Sequence, residues 1–153
     1  MKSAHRVKGF TLIELLVVIG ILAVLLAITL IAINPARQFS MANNTKRSSD
    51  VNAILNAVGQ YAADNKGDLS ALAITATASA IADTGVNICS DLVPQYLAAL
   101  PVDPLTNGGD AVDETECTAA YDTAYTISQS ATDNRITVSA PDAELNQTIS
   151  VTR

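Results

Sequence analysis

The chain has 153 residues, which is enough for one small domain and little else. It is 49% hydrophobic but only 4% aromatic, and its formal net charge is −6. An acidic chain of this kind lacks the basic surface that replaces the counterions of a nucleic acid, so no nucleic-acid partner is expected. Two Cys and a single His, His5, cannot build a four-ligand zinc site on their own, and no cofactor is expected.

An apolar run of 24 residues extends from Phe10 to Ile33, with Glu14 as its one charged residue. As an α-helix this run is about 36 Å long, and the hydrocarbon core of a bilayer is about 30 Å thick. The run is too long for the apolar part of an ordinary secretory signal. The alternative is a buried helix of a soluble protein, but the remaining residues carry little apolar surface to enclose it. We therefore expect a transmembrane helix over residues 10–34.

Basic residues flank the apolar run on both sides. The residues before the run lie close to it and to the free amino terminus, which favours a cytoplasmic N-terminus under the positive-inside rule. We expect a single-pass precursor in the cytoplasmic membrane, with the residues after the run exported. The flanking basic residues are Lys2, Arg6 and Lys8 before the run, and Arg37, Lys46 and Arg47 after it.

Glu14 is the informative residue of the run. A carboxylate at membrane depth costs several kcal/mol unless it is protonated, paired or able to reach the interface. A protonated or interface-seeking Glu14 is one interpretation. The other interpretation needs a cation at the same depth, which the intact chain does not supply but a new amino terminus would.

The stretch from Gly9 to Ile19, GFTLIELLVVI, closely resembles the prepilin motif of type IV pilins and of the pseudopilins of type II secretion. The shared features are a short basic leader, a small residue before the cut, an aromatic residue after it and a Glu four positions further on. The resemblance is specific over residues 1–33 and only architectural beyond residue 66.

The resemblance implies that residues 1–9 are a leader and that a prepilin peptidase cuts between Gly9 and Phe10. It also implies N-methylation of the new Phe10 amine, which has an ordinary pKa of about 7.7–8.0. Glu14 of one subunit can then pair with the Phe10 amine of a neighbour, which would select the axial register of a homo-oligomeric helical filament. The implied partners are the prepilin peptidase, the pilus assembly machinery and, before assembly, the membrane.

Pro35 is expected to end or kink the helix just beyond the membrane. Helical periodicity then resumes, and residues 35–66 form an amphipathic half whose apolar stripe packs on the head. The sequence around Gly67 predicts its C-terminal cap. The stripe consists of Val51, Ile54, Leu55, Val58, Tyr61 and Ala62.

Residues 67–153 are expected to form a globular head. Leu69 to Ala82 fits either a weak helix or an irregular loop, and residues 83–85 predict a turn. Ser90 predicts the cap of a short helix over 91–100. Strands are expected over 121–130, 135–140 and 147–152. The fold class is therefore α+β, with a long N-terminal helix packed on a small antiparallel β-meander.

Cys89 and Cys117 are expected to form a disulfide in an exported domain, with two buried thiols as the alternative. Asp103, Asp110 and Asp113 lie in an acidic, Gly-containing loop. Some pseudopilins hold calcium after a Leu-Pro-X-Asp-Pro stretch, and residues 100–104 are similar to it. Calcium prefers oxygen ligands, but acidic loops are usually only solvated, so no metal is the first expectation.

Three classes of function compete. The first is a structural subunit of a type IV pilus, and its alternative is a pseudopilin of a type II secretion system, which shares residues 9–19. The second is a membrane-anchored enzyme, which is not expected because no nucleophile–base pair or phosphate-binding loop is evident. The third is a plain single-span anchor, which leaves Glu14 and the leader pattern unexplained.

Overall fold

The computed structural model describes residues 9–153, so the predicted leader residues Lys2, His5, Arg6 and Lys8 lie outside the described residues. The chain separates into two compact units. The N-terminal unit ends at Gln38, and the C-terminal unit runs from Phe39 to Arg153. The functional division at residues 9, 34 and 66 stays a prediction.

Helix α1 covers Leu12–Ile33, and helix α2 covers Pro35–Asp64. The residue between them, Asn34, adopts a left-handed conformation with φ of 48°. Proline has no backbone N–H to donate and disfavours a helical residue before it, whereas Asn tolerates positive φ. The predicted break at Pro35 is confirmed.

The buried face of α2 carries the predicted apolar stripe. Val51, Ile54, Leu55 and Val58 are all buried, because they recur at the three- and four-residue spacing of one helix face. After Asp64 the chain turns away, with the N–H of Gly67 donating to the carbonyl of Ala62 at 2.7 Å. The predicted helix stop is confirmed, but Lys66, with φ of 57°, occupies the left-handed position just after the helix, and Gly67, with φ of 87°, is the residue that follows it.

A four-stranded antiparallel sheet completes the C-terminal unit, in the spatial order β1-β2-β3-β4. The α+β class is confirmed, as are the three predicted strands, which correspond to β2, β3 and β4. Strand β1 falls in the Ala- and Ser-rich stretch that the sequence left open. The strands are β1 Ser79–Ala82, β2 Asp122–Gln129, β3 Ile136–Ala140 and β4 Ile149–Thr152.

The core of the C-terminal unit lies between α2 and one face of the sheet. Ile127 pairs with Val138, and Val138 with Val151, so one row of apolar side chains crosses three strands. These side chains belong to the same apolar cluster as Ile54 and Val58 of α2. The alternation of polar and apolar residues in each strand therefore gives a half-buried sheet.

The predicted helix over residues 91–100 is wrong. Helix α3 covers only Cys89–Leu92, and it begins after Ile88 rather than at a Ser90 cap. Val93 is extended, with φ of −102° and ψ of 133°, as expected for a residue that precedes a proline. Leu100 instead pairs with Val112 through two backbone hydrogen bonds of 2.8 and 2.9 Å.

The predicted turn at residues 83–85 is confirmed, and Gly85 shows why a glycine is needed there. The N–H of Val86 donates to the carbonyl of Ala80 at 2.8 Å, which draws the turn against β1. A Cβ at Gly85 would lie 2.3 Å from that carbonyl oxygen. The close approach of two backbone segments therefore excludes any side chain at this position.

We predict that Gly85→Ala lowers the free energy of unfolding by about 2 kcal/mol, because the turn must shift away from β1. Gly59→Ala is the matched control, since a Cβ there meets nothing within 4 Å and alanine favours a helix interior by roughly 0.5–1 kcal/mol. Urea unfolding of the full chain in detergent measures both variants. Equal stability of Gly85→Ala and the unchanged chain would contradict the packing of this turn.

Candidate functional site

The start of α1 is fixed by a reciprocal pair of side chains, Thr11 and Glu14. Thr11 is the N-cap residue, and its Oγ1 accepts a hydrogen bond of 3.3 Å from the backbone N–H of Glu14. Oε2 of Glu14 accepts bonds from the backbone N–H of Thr11 at 2.8 Å and from its hydroxyl at 2.7 Å. This capping box holds donors that a helix start would otherwise leave unpaired.

The capping box determines where the carboxylate of Glu14 lies. It turns back toward the first residues of the helix, and Phe10 and Glu14 line one shallow apolar depression. Thr11 and Glu14 form the Thr-X-X-Glu pattern of a capping box, a signal that the sequence interpretation missed because it treated Glu14 only as a charge. The two residues predicted for assembly are thus neighbours within one subunit.

Helix α1 is apolar on every side. None of its residues is buried, and its mean hydropathy reaches 3.2. Among residues 9–153 it is the one helix long and apolar enough to cross a membrane, and its 22 residues span about 33 Å. A helix that is apolar all around requires lipid or other helices on all sides.

Comparison with known proteins identifies the class of this segment. Residues 4–30 match the prokaryotic N-terminal methylation motif, the hallmark of type IV pilins and pseudopilins. The resemblance seen in residues 9–19 is therefore confirmed, and the motif supports a type IV pilin-like or pseudopilin role. No curated protein and no solved structure matches the chain significantly.

A second polar site lies in the C-terminal unit, around Arg47. The side chain of Arg47 is fully buried, and its Nε and Nη2 donate to the two carboxylate oxygens of Asp103 at 2.6 and 3.1 Å. Its Nη1 donates to Glu144 Oε2 and to Asn44 Oδ1, both at 2.9 Å. The hydrogen bonds that Arg47 donates to Asp103 and Glu144 raise the pKa of its guanidinium, so the buried group remains charged.

Glu144 fastens the β3–β4 loop to α2. Its carboxylate accepts bonds from Ser40 Oγ at 2.7 Å and Asn43 Nδ2 at 2.9 Å, in addition to Arg47. The Asn44 side-chain amide accepts a hydrogen bond of 2.9 Å from the backbone N–H of Glu144 and donates one of 2.8 Å to its backbone carbonyl. The bonds from Asn43, Ser40 and Arg47, in that order of effect, hold the pKa of Glu144 below its ordinary value.

Polar contacts attach the turns of α2 between Phe39 and Asp50 to the rest of the C-terminal unit. Between Phe39 and Asp50 the buried residues of α2 are Asn44 and Arg47, and its buried apolar residues begin at Val51. The sequence interpretation counted Arg47 only as a flanking charge. The available signal was its position one turn before Val51, on the same helix face as the apolar stripe.

The three residues considered for calcium have different surroundings. Asp103 is buried against Arg47, whereas Asp110 is exposed. Asp113 Oδ1 accepts bonds from Thr115 and from the N–H of Glu116, which closes a local turn. Within residues 9–153 no three His, Cys, Asp or Glu side chains are grouped to hold a metal ion. Calcium at this loop stays the less favoured alternative of the sequence analysis.

Cys89 and Cys117 are joined by a disulfide, with their Cα atoms 5.3 Å apart. Both residues are buried. The bond links α3 to the loop that precedes β2 across a sequence separation of 28, and the segment it closes contains the Leu100–Val112 pair. The acidic loop is therefore held at both ends by covalent and hydrogen-bonded contacts.

We expect Asp103→Asn to lower the free energy of unfolding by about 3 kcal/mol, because it leaves the buried Arg47 charge incompletely compensated. Asp110→Asn removes the same charge from an exposed position of the same loop and should change stability by about 0.5 kcal/mol or less. Urea unfolding of both variants checks this. Similar small effects for the two substitutions would refute the importance of the buried ion pair.

The depressed pKa of Glu144 predicts a pH dependence. Its carboxylate stabilises the folded chain fully above the unfolded-state pKa of about 4.3, and this contribution is lost as pH falls through the lower folded value. The unchanged chain should therefore exceed Glu144→Gln in stability near neutral pH, with the difference shrinking in acid. Unfolding midpoints of both proteins, measured as a function of pH, check this. The contributions of the other carboxylates cancel in the difference, because those groups titrate in the unchanged chain and in Glu144→Gln alike. A constant difference would count against the assignment.

Proposed function

We propose that this chain is a structural subunit of a type IV pilus-like filament. A prepilin peptidase cuts between Gly9 and Phe10, the Phe10 amine is methylated, and α1 assembles with α1 of other copies. Before assembly the precursor crosses the cytoplasmic membrane once with its N-terminus in the cytoplasm, and afterwards it is part of an extracellular filament. The carrying observation is Glu14, the one charge of an apolar helix, held beside Phe10 by the capping box.

The geometry of Glu14 supports a contact between subunits. Both Thr11 donors bind Oε2, and within residues 9–153 no donor contacts Oε1. A carboxylate has lone pairs for about four bonds, so Glu14 can keep its capping role and accept a further donor. A protonated Phe10 amine from a neighbouring copy provides that donor and compensates the charge. Because an ion pair in an apolar surrounding tolerates little displacement, it sets the axial register.

A pseudopilin of a type II secretion system is the second candidate, favoured by the sequence from Leu100 to Pro104. In the C-terminal unit this stretch supplies Asp103 to the Arg47 cluster, so a structural reason for it exists in either kind of filament. Abundant filaments in the shear fraction of the native host would favour the pilus. Mature chain found only in membranes would favour the pseudopilin.

Intact mass and N-terminal sequencing of the native chain test the processing step. We expect a mature chain that begins at Phe10 and carries one additional methyl group. Recovery of that chain from sheared surface material supports the filament function. A chain that begins at Met1 and stays in the membrane would contradict the proposal and leave a plain anchored domain.

We predict that Glu14→Gln lowers the yield of sheared filament about tenfold or more while cleavage continues. An unpaired amine in an apolar bundle costs more than the 1.4 kcal/mol that a factor of ten represents. Thr29→Val is the control, because it removes a polar group of α1 that bonds only the Leu26 carbonyl. Normal filament yield from Glu14→Gln would rule out the pairing.

A further inference from the structure

We propose that one end of the C-terminal unit, formed by the first turns of α2 and the β3–β4 loop, binds the membrane surface before assembly. Its ligand is the boundary between the headgroups and the acyl chains of a lipid bilayer. The proposal rests on the membrane-anchored precursor of the proposed function and adds a second contact with the same bilayer. The contact residues, called the apolar patch below, are Phe39, Met41 and Leu145.

The exposed apolar side chains of the C-terminal unit are concentrated at this end. Phe39 is 71% exposed, Met41 46% and Leu145 42%. Within residues 39–153 the one other large apolar side chain that is exposed is Leu105, in the loop that Asp103 ties to α2. In that part of the chain neither the sheet nor the last turns of α2 exposes such a side chain. Single exposed apolar residues need no explanation, but their concentration at one end indicates a contact surface.

A hydrogen bond holds Leu145 beside the start of α2. The preceding residue, Glu144, accepts a bond of 2.7 Å from Ser40 Oγ across a sequence separation of 104. Successive residues of a helix point about 100° apart, so Phe39 and Met41 lie on either side of Ser40, where the β3–β4 loop is attached. The three apolar side chains therefore belong to one region, built from two distant segments.

Leu145 is an unusual residue for its position. The turn over Glu144–Gln147 is closed by the N–H of Gln147, which donates to the carbonyl of Glu144 at 3.1 Å, and Leu145 within it has φ of 58°. Gly or Asn adopts this left-handed conformation at lower cost than Leu. The turn itself gives no reason for a leucine, whereas an apolar ligand outside the unit does.

The chain keeps the patch close to the bilayer. Helix α1 ends at Ile33, and Met41 is the seventh residue of α2. Whatever direction α2 takes after Asn34, two Cα steps and six helical rises hold Met41 within roughly 17 Å of Ile33. The headgroup layer on each side of the hydrocarbon core is about 5–7 Å thick. Exposed apolar side chains held so near lose contact with water on entering the boundary of that layer, which is favourable.

Charge does not select a particular headgroup. Residues 35–50 and 141–147 carry three basic and three acidic side chains, and Arg47 and Glu144 are paired with each other. Apolar contact therefore carries the binding, and zwitterionic lipid should be sufficient for it. The charged residues of the two segments are Arg37, Lys46, Arg47, Asp50, Asp142 and Glu144.

Tryptophan fluorescence tests the contact, because the chain contains no Trp and one introduced Trp reports only on its own surroundings. The full precursor is placed in phosphatidylcholine vesicles whose acyl chains carry bromine near the headgroup, which quenches a nearby indole. We expect Leu145→Trp to be quenched at least about twofold more strongly than Gln60→Trp. Gln60 is the matched control, since it is exposed on α2 about 28 Å beyond Met41.

Leu22→Trp, in the middle of α1, separates failure of the contact from failure of the anchor. Quenching of Leu22→Trp without quenching of Leu145→Trp would overturn the contact and leave the anchored precursor intact. An unquenched Leu22→Trp would overturn the anchored precursor, and the contact with it. Equal quenching of Gln60→Trp and Leu145→Trp would mean that α2 lies flat on the bilayer, which would also overturn binding through the patch.

Two further measurements keep the test decisive. Phe39→Trp is a second reporter at an exposed helical position, and it replaces Leu145→Trp if the urea midpoint of that variant shows a folding defect. Emission from either reporter should shift to shorter wavelength in vesicles. A shift that occurs only in sheared filaments would overturn the lipid contact and assign the patch to a neighbouring copy.

Discussion

The buried guanidinium of Arg47 is the interaction on which the C-terminal unit depends. A charge in that position is tolerated only because two carboxylates and an amide oxygen meet it with directional bonds. The two carboxylates come from a loop near residue 103 and from the β3–β4 loop, whereas the amide oxygen belongs to Asn44 of α2, so one side chain fixes two distant segments against the helix. Apolar packing alone would not specify these positions as narrowly, because it is not directional. The disulfide and the sheet form the rest of the apolar core that packs against α2.

Glu14 is also a charge in an apolar setting, but its partners differ from those of Arg47. Arg47 finds its compensation within the chain, whereas Glu14 finds only the two donors of Thr11 in residues 9–153. Thr11 caps the helix but brings no positive charge. In the proposed filament, a partner outside the subunit compensates the remaining electrostatic cost of this carboxylate on an apolar helix. Under that proposal, the incompletely compensated charge of Glu14 favours assembly.

Local chemistry explains which features the sequence could predict. Pro35 and Gly67 act through their own backbone preferences, residues 83–85 have the composition of a turn, and the strands near Ile127, Val138 and Val151 follow from alternation, so these features are correctly predicted. Features that depend on distant partners were not. Arg47 meets Asp103 56 positions away and Glu144 97 positions away, and β1 is a strand only because β2 is beside it. The helix expected over 91–100 is wrong because Pro94 favours an extended Val93 and because Leu100 pairs with Val112. The Thr11–Glu14 box was readable, since its signal spans only four residues.

The buried face of α2 has a polar half before Val51 and an apolar half from Val51 onward, and the two halves differ in the cost of separating them from the rest of the unit. From Val51 onward the face is apolar, and separating it from the sheet would expose core. Before Val51 it is polar, and its bonds through Ser40, Asn43 and Asn44 can each be replaced by water at modest net cost. Arg47 stands at the boundary, where breaking the contact becomes expensive because a charge loses its partners. Separating the contacts before Arg47 therefore costs less than separating those at and beyond it, where the Arg47–Asp103 pair also supports the loop that carries Leu105.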